Sequence, residues 1–226
     1  MDPALLDEAV VEYDEYVESE TGEFVNATDE FLALVESGEI EAAKEYYPSA
    51  RVHFERIEPV AGAFGDLDPD IDGREGDIPA DEWGGYHRIE QALWIEETTA
   101  GLETTIDELR NDVANLDDIA IKADFDPAEI AQGSVDLLAE VSSSKITGEE
   151  ERYSHTDLWD FEANVDGSEA GFAALTPALE QADPELVAEI ESEFQDLYAL
   201  LDQYREGEGF VLYDTLDNSD TQELAQ

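Results

Sequence analysis

His87 and Glu90 stand three residues apart in Gly85-Tyr86-His87-Arg88-Ile89-Glu90-Gln91-Ala92-Leu93-Trp94. On a helix, positions i and i+3 project from one face, so an imidazole and a carboxylate at this spacing can converge on one cation, as they do in di-iron helical bundles. The same spacing also recurs by chance in ordinary surface or core pairs, and alone it leaves both readings open. A zinc-protease signature needs a second histidine, and Gln91 takes the place it would have in His-x-x-Glu-His order. That weakens a peptidase reading. Glu58, in Arg56-Ile57-Glu58-Pro59, is a candidate third ligand with a hard oxygen, or one exposed acid among the 61 Asp and Glu of the chain. A second candidate cluster is His155 with Asp157 or Asp160, in Tyr153-Ser154-His155-Thr156-Asp157-Leu158-Trp159-Asp160-Phe161. Its alternative is a packed aromatic seam around a satisfied histidine. His53 has no comparable pattern around it and reads as structural. The run from Asp66 to Asp77 has the look of a calcium loop. Aligned on Asp68, Asp70, Asp72 and Gly73, however, the closing bidentate Glu falls at Pro79, which excludes an EF-hand.

The elements that must position these residues are helical. Leu6, Val10, Tyr13, Val17, Phe24, Phe31, Leu34 and Val35 recur near a 3.6-residue period and predict a long amphipathic helix ending at Gly38. A second helix is expected from about Ile40 towards Phe64, with Pro48 marking a kink or a fresh start. Gly65 to Asp81 is rich in Asp, Gly and Pro and reads as a long loop, which in a compact domain is usually functional. Further helices are expected from about Glu82 to Glu97, over the stretch marked by Leu102 to Leu116, and from Asp126-Pro127 towards Ser144, where Glu129 completes the start signal. A sixth segment spans about Gly148 to Leu179, and Asp183-Pro184 opens a seventh that ends near Gly207. No segment alternates as strands do, so the fold class is all-α. Tyr86-His87 before Leu93-Trp94, and Tyr153-Ser154-His155 before Leu158-Trp159, suggest a duplication into two similar helical bundles packed together.

Composition constrains the rest. Ten Lys and Arg face 61 Asp and Glu, a net charge of −51. Such a surface repels itself in dilute buffer and needs salt, whose screening length is roughly 3 Å at 1 M. The acids are spread through periodic, aromatic-rich segments, so the expectation is a folded, halophilic protein with salt-dependent folding rather than disorder. Nucleic acid is excluded as a partner because phosphate binding needs clustered cations, and contact with anionic lipid is disfavoured for the same reason. The absence of cysteine removes thiolate metal sites, iron–sulfur clusters and disulfides together. No run is long enough for a transmembrane helix, so no direct membrane insertion is expected. Met-Asp-Pro-Ala has neither the basic flank nor the apolar stretch of a signal peptide, which leaves a cytoplasmic or a mature protein as alternatives.

The strings Arg56-Ile57-Glu58-Pro59-Val60, Phe64-Gly65-Asp66-Leu67-Asp68-Pro69, Ile71-Asp72-Gly73-Arg74-Glu75, His87 through Trp94, Lys145-Ile146-Thr147-Gly148-Glu149-Glu150 and Tyr153 through Phe161 resemble the imelysin-type domain of EfeM and EfeO proteins. The resemblance implies a single imelysin-like domain over 1–226, built from two pseudo-symmetric helical sub-bundles at about 1–120 and 121–226. It implies a Gly-x-His-x-x-Glu metal motif, here Gly85, His87 and Glu90, with Glu58 a further ligand; His155 and Asp157 stay in the candidate set on their own sequence pattern. It also implies an extracytoplasmic, non-enzymatic role as the iron-binding component of an EfeUOB-like uptake system, handing metal to a membrane permease. The alternative is an imelysin-type metallopeptidase. No β-rich cupredoxin-like segment is present and Met1 is the only methionine, which points to the shorter EfeM type or an isolated domain. One neutral imidazole with two or three carboxylates suits iron, ferric above ferrous, with zinc or manganese as further candidates.

Overall fold

The first helix begins at Asp2 and Pro3, and the computed structural model describes the chain over residues 2–65 and 67–225. Asp66, part of one string quoted above, lies outside the described residues. The Asp2 carboxylate accepts the Ala4 N–H at the start of α1 (Pro3–Ser37), and Gly38, at φ 77°, closes it by donating to the Leu34 and Val35 carbonyls. The buried face of α1 carries Tyr13, Val17, Phe24, Phe31, Leu32 and Val35. α2 (Ile40–Ile57) runs through Pro48 without a fresh start. It ends at Ile57 rather than near Phe64, because Pro59 and the non-helical Val60 tighten the chain into a 3₁₀ turn over Glu58–Ala63.

The expected loop from 65 to 81 contains a short helix, α3 (Leu67–Asp72), whose last residue faces the interior. The helix expected over 82–97 is shorter: α4 (Gly85–Gln91) continues into a π-turn over Ala92–Glu96. α5 (Glu103–Ala120) and α6 (Pro127–Ser143) follow, the latter opened by the Asp126/Glu129 capping box. Residues 148–156 are not helical. They form a loop after a 3₁₀ turn at Lys145–Thr147, and α7 (Asp157–Ala182) starts only beyond it. α8 (Pro184–Leu201) is capped by Asp183 and ends before a hairpin of β1 (Arg205–Glu206) with β2 (Gly209–Phe210), and α9 (Asn218–Leu224) closes the chain. Among the described residues the fold is all-α apart from that hairpin.

α1 packs on α2, α5 and α7, and α7 in turn packs on α2, α6 and α8. Two apolar cores result. The first holds Tyr13, Phe24, Phe31, Tyr47, Phe54, Tyr86, Ile89 and Leu109, and takes in Ile130 of α6 and Leu175 of α7. The second holds Leu137, Leu158, Phe161, Val165, Phe194, Phe210 and Tyr213. In the first core the Tyr86 ring lies between Phe24 and Phe31, with centroids 5.8 and 5.5 Å away, and its hydroxyl shares a 2.7 Å hydrogen bond with Thr28. Burying an aromatic ring of this kind is worth about 1.5–3 kcal/mol, so Tyr86 anchors α4 and fixes the position of the next residue, His87. α7 approaches α2 closely because Gly167 lies against the Arg56 carbonyl, where a Cβ would overlap it.

Candidate metal centre

Charge enters the interior on one face of α2. Arg51, Glu55 and Glu58 are spaced by four and three residues and so project together, towards α7 and the 148–156 loop. Opposite them, α4 contributes His87 and Glu90, which are 2% and 0% exposed. The His87 Nδ1 lies 2.9 Å from the Glu90 Oε2. The other oxygen of Glu90 accepts the backbone N–H groups of Tyr153 and Ser154 at 2.9 and 2.8 Å. The His87 Nε2 is buried without a hydrogen bond and faces the Asp72 Oδ1 at 3.5 Å. A histidine that binds a metal commonly has one ring nitrogen oriented by a carboxylate and offers the other to the cation, and the His87 geometry is compatible with that use. Two ligand atoms that each bind a cation at about 2.1 Å stand roughly 3–3.5 Å apart, close to the Nε2–Oδ1 separation.

The junction of α3 with α4 explains why glycine precedes the Tyr-His pair. Gly85 has φ 69° and packs on the Asp70 and Ile71 carbonyls, where any Cβ would overlap the Ile71 oxygen. That close approach sets Asp72 beside His87. Glu151, fully buried, completes the group: its Oε1 meets the Arg51 Nε at 2.6 Å and its Oε2 accepts the Ser154 hydroxyl at 2.7 Å. His87, Glu90 and Glu151 each offer a ligand atom within 4.8 Å of the others, and so do Glu55, Asp72 and Glu150. Arg51 lies between the two groups and pairs with Glu55, Asp72 and Glu151. The Lys145 Nζ reaches Glu55, Glu58 and Glu150 at 3.1, 2.7 and 3.1 Å, and the Asn164 amide donates to both Glu55 and Glu58.

Eight buried or half-buried carboxylates (Glu55, Glu58, Asp72, Glu90, Glu150, Glu151, Asp157, Asp160) thus share the interior with two buried permanent cations, Arg51 and Lys145, and one buried imidazole, while Arg74 lies near Glu150 at the cavity rim. Burial on this scale resists ionisation unless each charge is paired. Burial and the neighbouring Glu90 push the Glu151 carboxyl up to about 8 against the pull of Arg51. Burial likewise drives Glu58 and Asp160 well above the usual carboxylate range. At Glu90 burial also opposes ionisation, but the His87 ring and the Tyr153 and Ser154 amides outweigh it and hold the carboxyl low. Asp72 is held low against burial by Arg51 and His87. His87 itself, whose charge burial disfavours, is carried to about 10 by Asp72 and Glu90. Even so, Glu150 Oε2, Asp157 Oδ2 and both Asp160 oxygens remain buried without a hydrogen-bond partner.

Of the residues singled out in the sequence, His87 and Glu90 meet as expected. Glu58 joins the neighbouring acid group through Lys145. Asp157 caps the loop, its Oδ1 accepting the Glu151 N–H at 3.3 Å. His155 is half-buried at φ 59°, and its carbonyl accepts the Tyr213 N–H. Neither His155 nor Asp157 belongs to the two metal-capable groups found among the described residues. His53 pairs with Glu20 at 2.8 Å, away from both groups. Sequence reading missed Asp72, Arg51, Glu55, Lys145, Glu150 and Glu151. The four-and-three spacing of Arg51, Glu55 and Glu58 was the available signal. Beside the second group a cavity of about 230 Å³, lined by Glu58, Asp68, Asp72, Asp77, Glu140 and Glu150 among others, leads to exposed acids. A roomier hollow of about 510 Å³ beneath α9 is walled by Leu138, Ile190, Phe194 and Leu197 and carries no such ligand set.

Comparison with known proteins places this architecture. Residues 9–226 match the family described as Imelysin. An EfeM/EfeO family lipoprotein of Staphylococcus haemolyticus is 43% identical over 98% of this chain and 79% of its own length. The iron uptake system component EfeO of Escherichia coli O157:H7 is 43% identical over 96% of this chain, and the E. coli K12 protein of the same name is 42% identical over the same share. The chain spans 59% of the length of these EfeO proteins. No helix among the described residues is long and apolar enough to cross a membrane. The chain belongs to the imelysin family and, within it, to the EfeM/EfeO group.

Proposed function

We propose that this chain is the extracytoplasmic iron-binding component of an EfeUOB-like uptake system, a carrier that holds iron and passes it to a membrane permease. The observation that carries the reading is the buried charge imbalance: eight carboxylates around two buried permanent cations, with the His87 Nε2 and several carboxylate oxygens lacking hydrogen-bond partners. A multivalent cation is the complement such a set of donors lacks, and the predominance of oxygen suits ferric iron best. The names of the EfeO relatives support iron as the cargo. In this reading His87 and Asp72 hold the ion with Glu151, Glu90 orients the ring and can ligate, and Glu58 serves the neighbouring acid group that faces the cavity. Asp157 and His155 support the loop that carries Glu151. The domain is one unit, its sub-bundles of about 1–120 and 121–226 joined by this centre.

Binding requires His87 neutral and the acids ionised, so iron competes with protons for the site. The test is calorimetric titration of chelator-stripped protein with iron, zinc and manganese at one fixed high salt concentration, with the nonspecific uptake of surface acids subtracted. A strong equivalent that is lost in His87→Ala is expected, beside any ion taken up by the neighbouring group of Glu55, Glu58 and Glu150. Affinity no greater than that of the surface carboxylates would remove the proposal, and peptide cleavage that vanishes with His87→Ala would replace it with the peptidase alternative.

A further inference from the structure

Lys145 is one of three lysines in the chain, and it is 3% exposed. Its ammonium meets three carboxylates at hydrogen-bonding distance, Glu55, Glu58 and Glu150. Asn164 donates to the same Glu55 and Glu58 oxygens, at 3.0 and 2.7 Å, and holds them converged. Such a cluster is a poor choice for stability alone, since apolar residues of similar volume commonly stabilise a fold as well or better. Two of the three carboxylates, Glu55 and Glu150, already form a metal-capable group with Asp72. The second oxygen of Glu150, in a side chain that is 4% exposed, has no partner.

We infer that Lys145 is a tethered stand-in cation, whose ammonium fills the Glu55–Glu58–Glu150 cage until an incoming metal ion displaces it. This rests on the metal-binding reading above and names how the same centre is regulated. Lys145 sits on a single 3₁₀ turn, Lys145–Thr147, just beyond α6, and its ammonium ends a flexible four-carbon stem. It can therefore leave the cage without moving a helix. Asp68 and Glu140 line the adjoining cavity and offer carboxylates to the displaced ammonium. A tethered charge acts at high effective concentration, so the ammonium keeps sodium and potassium out, while a cation of higher charge wins the oxygens from it.

In wild-type protein the ammonium 15N–1H signal of a buried, ion-paired lysine is separable from those of the exposed lysines. Titration with zinc, a diamagnetic probe, should shift or remove the Lys145 signal in step with the His87 imidazole signals. If the His87 signals move while that of Lys145 does not, Lys145 is a fixed bridge and the inference is wrong although the metal site stands. If neither moves, both readings fail. Lys145→Met supplies a second test at constant ionic strength. In choline chloride, whose cation is too large for the cage, zinc should bind about tenfold or more tighter than to wild type, and sodium chloride should reverse most of that gain. Wild type should respond alike to both salts. Equal or weaker zinc binding by a folded Lys145→Met, with no difference between sodium and choline, would overturn the inference.

Discussion

The segments 86–94 and 153–159 resemble each other in sequence, each with an aromatic residue and a histidine ahead of a Leu-Trp pair, yet they meet the charged interior in different ways. In the first, His87 is helical and buried, with Glu90 on one ring nitrogen and Asp72 facing the other. In the second, His155 is half-buried in a loop and contributes its backbone, while the amides of Tyr153 and Ser154 hold Glu90. A histidine becomes a candidate ligand through the carboxylates that other elements bring to it, and the aromatic residues beside it do not decide the matter. The second segment serves the first by fixing the Glu90 carboxylate through its main chain.

The largest expected effect lies in the ion network that both segments share. Arg51→Met leaves Glu55, Asp72 and Glu151 without their common partner, and should cost about 3–5 kcal/mol in urea denaturation at fixed high salt. A loss below about 1 kcal/mol would mean that proton uptake by the acids compensates fully. Next comes the comparison itself. His87→Ala should weaken metal binding about 100-fold or more, by loss of a ligand and of the geometry it shares, while His155→Ala should stay within about threefold. The reverse ranking, by calorimetry, would break the distinction between the two segments.

Acidity gives a third, signed effect. With His87 at about 10 and Glu151 at about 8, both carry protons near neutrality in the metal-free protein. Metal affinity should therefore rise about 100-fold per pH unit below 8 and about tenfold per unit between 8 and 10, with matching proton release. Metal-free stability should move the other way. The His87 contribution is complete below its unfolded value of 6.5 and is lost as pH rises through about 10. Glu151 costs stability progressively from 4.5 up to about 8, where the folded state gives up a proton it had retained. Metal affinity that does not change between pH 6 and 8 would remove His87 and Glu151 from the ligand set. The smallest effect is at His155, whose φ of 59° is a left-handed conformation. His155→Gly should stabilise the chain by about 0.5–1 kcal/mol, the strain relieved less the added freedom of the unfolded glycine, with metal affinity unchanged. A loss of stability would show that the imidazole makes contacts worth more than the strain.

Local signals made much of this structure legible. The caps at Gly38 and Asp126, the apolar period of α1 and the His87–Glu90 spacing are each set by residues within a turn or two of one another. The rest depends on distant contacts. Asp72 read as one acid of a loop, because nothing local shows that Gly85 will seat α4 against the end of α3. Glu150 and Glu151 fell in an expected helix and occupy a loop instead. Arg51, Glu55 and Glu58 had helical spacing, but with 61 acids in the chain residue type could not separate a buried carboxylate from a solvated one.

The central claim is that the buried acid excess around His87 is a binding site for a metal ion. Anomalous diffraction at the iron edge, from crystals grown at high salt and soaked with iron, tests it most directly. The strongest peak should lie within about 2 Å of the His87 Nε2, with Asp72 and Glu151 oxygens at similar range. A strongest peak on surface carboxylates, with none beside His87, would contradict the account.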